Sequence, residues 1–238
     1  MANLQVQITM SVSTVQALTD NGSLLYGLKA VQSSSAAGRP LVWITQPYST
    51  NTPVSWSTSV AAYTSFNPIK ENEVISPGFA AAIQTGQTLN VAAGGVGTVV
   101  NGGPSAQISI FNTTETSFTC GLAESSGSQV SAPFCAFPLY GGNLQSFGPV
   151  EKILLMFSTD QLAPGTVIES TLSSGPIAAS IQLFAAISPG ALIDMTGAAS
   201  PVPVTFDINQ GWSWGAGVNA VRVPANANLV PLLIEPES

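Results

Sequence analysis

Hydrophobic and polar residues alternate along much of this chain with a period of two, which is typical of β-strands with one buried face. The alternation is clearest at Leu4–Val12, at Ala106–Ile110 and at Val202–Ile208. In the last of these stretches, Val, Val, Phe and Ile fall on one side, and proline or polar residues fall on the other. Shorter stretches with strand character recur along the chain, among them Ile181–Ala185 and Ala220–Val223.

Residues that favour turns separate the predicted strands. The segment Asn101–Pro104 has two central glycines and stands between Gly97–Val100 and Ala106–Ile110, so it predicts a β-hairpin. With 22 glycines and 17 prolines, the chain leaves little room for long helices. The apolar run Glu151–Phe157 fits a strand covered on both faces better than a helix, because Gly-Pro and Pro-Gly pairs bound it.

Many short strands with regular turns predict an all-β fold. We expect an antiparallel β-sandwich, jelly-roll-like or made of two sheet-rich halves that share a core, with at most short helical turns. The 238 residues fit a single domain, because β-sandwiches of this length often fold as one unit. A possible subdivision gives an N-terminal half over residues 1–120, a connecting segment over 121–148 and a C-terminal half over 149–238.

Charged residues make up only 7% of the chain, against about a quarter in an ordinary globular domain. An apolar fraction of 45% argues against disorder, so the polar surface must consist largely of Ser, Thr, Asn and Gln. Such a surface suits a protein that packs against copies of itself, or one that binds uncharged polar ligands such as sugars. The five basic residues are scattered, which argues against binding to nucleic acid or to anionic membranes.

The start of the chain bears on its location. Met1–Met10 alternates rather than forming the apolar core of a signal peptide, and no apolar stretch is long enough to span a bilayer. We therefore expect a protein that is cytoplasmic, or that is released without a signal peptide. The two cysteines, Cys120 and Cys135, fit either buried free thiols or one disulfide across a loop, and the spacing does not decide between them.

Histidine is absent, which removes the commonest general base and the commonest metal ligand. Two cysteines cannot complete a structural zinc site, and no phosphate-binding or dinucleotide-binding glycine motif is present. We therefore expect no metal, no cofactor and no enzymatic activity. Glu71 and Glu73 form an acidic pair two residues apart, and such a pair is usually a solvated strand edge.

Aromatic residues supply the candidate ligand site. In the Trp-Ser-Trp sequence near the C-terminus, both indoles project to the same side of an extended chain. Flat aromatic faces stack on the apolar faces of sugar rings, and Asp and Asn side chains hydrogen-bond the hydroxyl groups. The alternative is that these rings fill the core. The candidate binding residues are Trp43, Trp56, Tyr63, Asp207, Asn209, Trp212 and Trp214.

These features predict a non-enzymatic, lectin-like protein that binds neutral glycans and forms a homo-oligomer. One alternative is a self-associating structural or storage protein, capsid-like or otherwise oligomeric, because few charges oppose the packing of identical copies or protect strand edges. A second alternative is an enzyme that works through carboxylates or through a cofactor-free pocket. The carboxylate mechanism requires two acidic side chains about 5–10 Å apart in one cleft.

Overall fold

The fold was analysed in a computed structural model, which describes residues 3–126, 131–171 and 190–237. Of the described residues, 54% lie in strands and 8% in helices, which confirms the all-β prediction. The strands form two large sheets in a sandwich-like arrangement, and one sheet curls into a half-barrel. The strand expected over Ile181–Ala185 lies outside the described residues.

Nine of the described strands, numbered in chain order through the whole protein, form the first sheet. They are β1 (Asn3–Thr9), β3 (Arg39–Pro40), β5 (Asn51–Ser65), β6 (Phe79–Ile83), β10 (Phe118–Ser126), β11 (Ala132–Pro133), β12 (Cys135–Leu139), β15 (Val202–Asp207) and β16 (Gly211–Trp214). Their order is β16-β15-β1-β5-β10-β12-β3, with β6 paired to β5 and β11 paired to β10. The pair β1 and β15 is parallel, and the other pairs are antiparallel.

Nine further strands form the second sheet. They are β2 (Leu24–Ser33), β4 (Ile44–Gln46), β7 (Gln87–Val91), β8 (Gly97–Asn101), β9 (Ile108–Asn112), β13 (Leu144–Ser158), β14 (Gly190–Asp194), β17 (Ala220–Val223) and β18 (Ile234–Pro236). Their order is β17-β14-β13-β9-β7-β8, and β2 pairs with β13, β4 and β18. The helices are α1 (Val12–Asp20), α2 (Val230–Leu233) and a 3₁₀ turn at Ala93–Gly95.

Each sheet combines strands from both of the expected halves. β1 pairs with β15 in the first sheet, and β2 pairs with β13 in the second. Residues 121–148, which were expected to connect the halves, are instead largely strand, because they include most of β10, all of β12 and the start of β13. Gly121 serves close packing rather than a turn, since a Cβ atom there would collide with the carbonyl oxygen of Cys135.

The predicted hairpin between β8 and β9 is wrong. β8 pairs with β7, whereas β9 lies between β7 and β13, so β8 and β9 are not neighbours. The hairpin that forms is β7–β8, and its turn contains Gly94 and Gly95 with φ angles of 80° and 77°. Glycine adopts these left-handed angles at little cost, and the tight turn between β7 and β8 forms at this pair. Asn101–Pro104 instead leads out of β8 into the loop before β9.

The alternation predicted that the first strand extends to Val12. The strand instead ends at Thr9, because α1 begins at Val12. The hydroxyl of Ser11 accepts a hydrogen bond from the Thr14 backbone N–H at 3.1 Å and caps this helix. Leu18 is buried on the face of α1 that meets the core. Among the described residues, no helix combines the length and the apolar character that a bilayer crossing requires.

The main hydrophobic core contains residues from strands of both sheets. One part of it is an aromatic cluster in which Trp212 stacks on Phe157, with ring centroids 5.5 Å apart, and packs against Phe206 at 5.0 Å. Cys120 and Cys135 are buried free thiols, which is the first of the two alternatives for this pair. Burial raises the pKa of Cys135 to about 12, so this thiol is unreactive at neutral pH.

Candidate functional site

A cleft of about 680 Å³ is lined by residues of both sheets. We call it the lysine cleft and define it by Lys29 of β2, Glu124 of β10 and Glu151 of β13, which all line it. Uncharged polar side chains also line the cleft, and these are Thr58, Ser59, Gln84, Thr85 and Gln87. This volume falls within the range of small-molecule sites, about 300–1,000 Å³.

Two irregularities in strand pairing shape the lysine cleft. Between the pairs Glu124–Val60 and Ser126–Trp56, β5 contains more residues than β10 does, so the register shifts there. A second shift occurs in the pairing of β13 with β2, between Pro149 and Ile153. Such bulges change the direction in which side chains point, and they often lie beside functional sites. Here they place hydroxyl groups of β5 and the carboxylate of Glu151 at the cleft.

The charged side chains of the lysine cleft form one cluster. The buried ammonium of Lys29 donates a hydrogen bond to Oε2 of the buried Glu124, and it lies 4.0 Å from Oε2 of Glu151. Burial raises the pKa of Glu124 to about 7, and the nearby Lys29 opposes that rise only in part. The Glu151 side chain is 29% exposed. Three aromatic rings have centroids 5.3 to 5.6 Å from Nζ and surround the ammonium: Trp43, Trp56 and Phe134.

A second candidate site is a shallower groove of about 430 Å³ at one end of the first sheet. Two aromatic side chains in its lining are more than half exposed, Phe66 at 65% and Tyr140 at 57%. We call it the aromatic groove and define it by Phe66, Asn67, Ser117 and Tyr140. Its charged residues are Arg39 and Glu169, which neutralise each other because Nε of Arg39 donates to Oε1 of Glu169 at 2.6 Å.

Strand register brings the aromatic rings to this groove. Phe66 directly follows β5, and Tyr140 directly follows β12, on either side of β10. Thr119 of β10 faces Ser65 of β5, and Phe118 faces Leu139 of β12. The residues after β5 and β12 therefore emerge at the same end of the sheet, beside Ser117. Phe66 rests edge-on against Phe118, with centroids 5.3 Å apart.

Two side-chain amides hold the loops around the aromatic groove. Nδ2 of the buried Asn112 donates to the carbonyl oxygens of Thr116 and Tyr140 at 2.7 and 3.1 Å. Oδ1 of Asn67 accepts hydrogen bonds from the Ser65 hydroxyl and the Ser76 backbone N–H, at 2.9 and 3.0 Å. Its Nδ2 makes no hydrogen bond within the described part of the chain, so it is available to a ligand.

Three of the predicted binding residues, Trp43, Trp56 and Tyr63, are buried. Nε1 of Trp43 donates to the backbone oxygen of Glu124 at 2.9 Å, and the hydroxyl of Tyr63 donates to the backbone oxygen of Cys135 at 2.8 Å. None of these rings offers a face to a ligand at the surface. Trp43 and Trp56 instead form part of the wall around Lys29.

The other four predicted residues belong to the β15–β16 hairpin. Trp212 is fully buried in the aromatic cluster, and Trp214 is half-buried against the same core. Oδ1 of Asp207 accepts hydrogen bonds from the backbone N–H groups of Asn209 and Gln210, at 2.8 and 3.1 Å, and thereby stabilises the turn. The structure brings these residues together, but Asp207 and Trp212 serve the hairpin and the core rather than an open site.

Sequence reasoning did not select Lys29, Glu124, Glu151 or Tyr140. The sequence did contain one indication of Lys29, which is the single charged residue of the otherwise largely apolar strand Leu24–Ser33. A lysine buried in such a strand needs an acidic partner. Glu71 and Glu73, the pair that was considered, are exposed and separate from both sites. Among the described residues, no group of three or more Cys, Asp or Glu side chains could hold a metal ion.

Comparison with protein-family models, with curated proteins and with solved structures finds no match to this chain. The function must therefore be argued from the two sites themselves.

Proposed function

We propose that the protein is a non-enzymatic, lectin-like binding protein, and that a neutral saccharide binds in the aromatic groove. One observation carries the proposal: Phe66 and Tyr140 are the exposed aromatic side chains of the groove, and they flank polar groups. Exposed aromatic rings are costly to leave in water and commonly mark a contact surface. Their faces suit the apolar faces of sugar rings.

The polar groups and the charge balance support an uncharged ligand. Nδ2 of Asn67 and the exposed hydroxyl of Ser117 can hydrogen-bond sugar hydroxyls. Arg39 and Glu169 form an ion pair, so the groove presents no net charge to attract an ion. A neutral saccharide matches this combination of aromatic, amide and hydroxyl groups.

Substitution of the two rings tests the proposal. We expect a glycan array to identify a neutral ligand, and titration calorimetry to show about tenfold weaker binding for both Phe66→Ala and Tyr140→Ala, equivalent to about 1.4 kcal/mol. Trp214→Phe serves as the control, because this half-buried aromatic residue lies outside the groove. Unchanged affinity in both groove variants, or a loss confined to the Trp214 variant, would contradict the proposal.

The free thiols support a reducing compartment as the site of action. Disulfides form readily in oxidising compartments, whereas Cys120 and Cys135 are buried and unpaired. We propose on this basis that the protein works in the cytoplasm.

A second candidate function is acid–base chemistry on a saccharide in the lysine cleft. The specific observation is that Glu124 and Glu151 both contact the ammonium of Lys29 in one cleft, although they are distant in sequence. Glu124, with its pKa raised to about 7 by burial, would donate a proton to the departing glycosidic oxygen. Glu151 as a carboxylate would take a proton from a water molecule, whose oxygen would bond to the anomeric carbon as the bond from that carbon to the leaving oxygen breaks.

A panel of nitrophenyl glycosides tests this candidate. We expect hydrolysis that declines above about pH 7, where Glu124 loses its proton, and a loss of about a hundredfold or more in Glu151→Gln. Gln87→Ala, a polar change in the same lining, is the control. Absence of hydrolysis across the panel, or full activity of Glu151→Gln, would eliminate the candidate and leave the binding proposal unaffected.

A further inference from the structure

One long stretch of the chain contains no charged residue. From Val74 to Thr114 the sequence has no Asp, Glu, Lys or Arg, although it includes four strands, β6 to β9. Much of this stretch is exposed, including the turns before β7 and after β8. Its exposed apolar side chains include Val96 at 52% and Val100 at 39%. The exposed residues of this stretch therefore lack the charges that keep proteins apart.

The edge of the second sheet lies within this uncharged surface. β8 is the last strand in the sheet order and pairs with β7 on one side, and no other described strand pairs with it. Thr98 and Val100 are exposed on β8, while Val99 packs against the main core. The free backbone groups of such an edge are a template for pairing with another strand.

The other strands at the ends of the two sheet orders are different. β17 carries the exposed Arg222, and β3 consists of two residues, one of which is Arg39. β16 has four residues and ends in the half-buried Trp214. Charge and shortness are the usual means of protecting an edge. β8 has five residues and no charge, so it has neither protection.

The charge of the protein favours a second copy as the partner. The formal net charge of −7 makes two copies repel, and this repulsion is smaller where they meet through surfaces without charge. Residues 74–114 themselves offer no acidic group to a basic partner and no basic group to an acidic partner. A like-to-like contact about a two-fold axis requires neither, because the same uncharged patch meets itself.

We propose that β8 pairs antiparallel with β8 of a second copy, so that the two second sheets join into one continuous sheet across a dimer. A strand of five residues is too short to bury a stable interface alone, since such interfaces bury at least about 1,000 Å². The uncharged strand β6 lies close to β8, and it and the β7–β8 turn would extend the contact. The inference is independent of the proposed function.

The mass of the protein in solution tests the inference. Light scattering during size-exclusion chromatography should give twice the 24.3 kDa of one chain for the wild type. The variant Thr98→Lys/Val100→Lys should elute as a monomer, because two copies would bring four ammonium groups to one edge. The control Val221→Lys places a lysine at an exposed valine of the opposite edge strand, β17, and should remain a dimer.

Hydrogen exchange gives a second measurement that does not depend on a variant folding. The amide protons of β8 should exchange faster as the wild-type protein is diluted, whereas those of β17 should not change. A monomeric wild type at all concentrations, or a dimer that persists in a folded Thr98→Lys/Val100→Lys variant, would overturn the inference. Exchange of β8 amides that is independent of concentration in a dimer would overturn it as well.

Discussion

Lys29→Met should lower the free energy of unfolding by about 3–5 kcal/mol at pH 8. Lys29 and Glu124 are both almost completely buried, so removal of the ammonium leaves a carboxylate without its partner in the interior. The control is Lys152→Met, which breaks the more exposed ion pair with Glu235 and should cost about 1 kcal/mol or less. Urea unfolding measures both values.

The cost of Lys29→Met should also depend on pH. Burial raises the pKa of Glu124 in the folded protein from 4.5 to about 7, so between these values the folded state binds more protons than the unfolded state. This group therefore favours folding below about pH 4.5, and that contribution is lost as the pH rises through 7. Without Lys29, the pKa of Glu124 should rise further, so the variant should be closest to the wild type at pH 5.

Two outcomes would contradict this account of the cluster. One is a Lys29→Met cost that equals the Lys152→Met cost, and the other is a cost that is the same at pH 5 and pH 8. The double variant Lys29→Met/Glu124→Gln should recover much of the loss at pH 8, because it removes both buried charges.

Trp212→Ala should lower the free energy of unfolding by about 3–5 kcal/mol. The indole of Trp212 is fully buried and packs against both Phe157 and Phe206, so truncation leaves a large cavity within an aromatic cluster. Trp214→Ala is the matched control from the same hairpin and should cost about 1–2 kcal/mol, since this ring is only half-buried. Equal costs in urea unfolding would mean that Trp212 is not the core residue that the structure indicates.

Alternation predicted strands well where one face is buried. β15 is an example, because Val202, Val204 and Phe206 are buried while the residues between them are not. Which strands pair with each other was harder to predict, because the alternation within a strand does not indicate its neighbours in the sheet. Asn101–Pro104 was expected to close a hairpin, but β9 instead lies on the far side of β7.

The candidate sites depended on information that the sequence does not hold. Lys29 and Glu124 are 95 residues apart, and only the packing of one sheet on the other brings them together. The aromatic residues posed a different difficulty, because a tryptophan next to polar residues has the same local pattern in a core as in a binding site. Trp212 proved to be core, while Phe66, one residue past the end of a strand, proved to be exposed.

The central claim is that a neutral saccharide binds in the aromatic groove, and amide chemical shifts during titration with the saccharide test it most directly. We predict that the largest chemical-shift changes fall on the amides of Phe66, Asn67, Ser117 and Tyr140. The amide shifts of the β15–β16 hairpin and of the lysine cleft should not change. Largest shifts at Asn209 and Trp214, or a saccharide that binds without perturbing the groove, would contradict the claim.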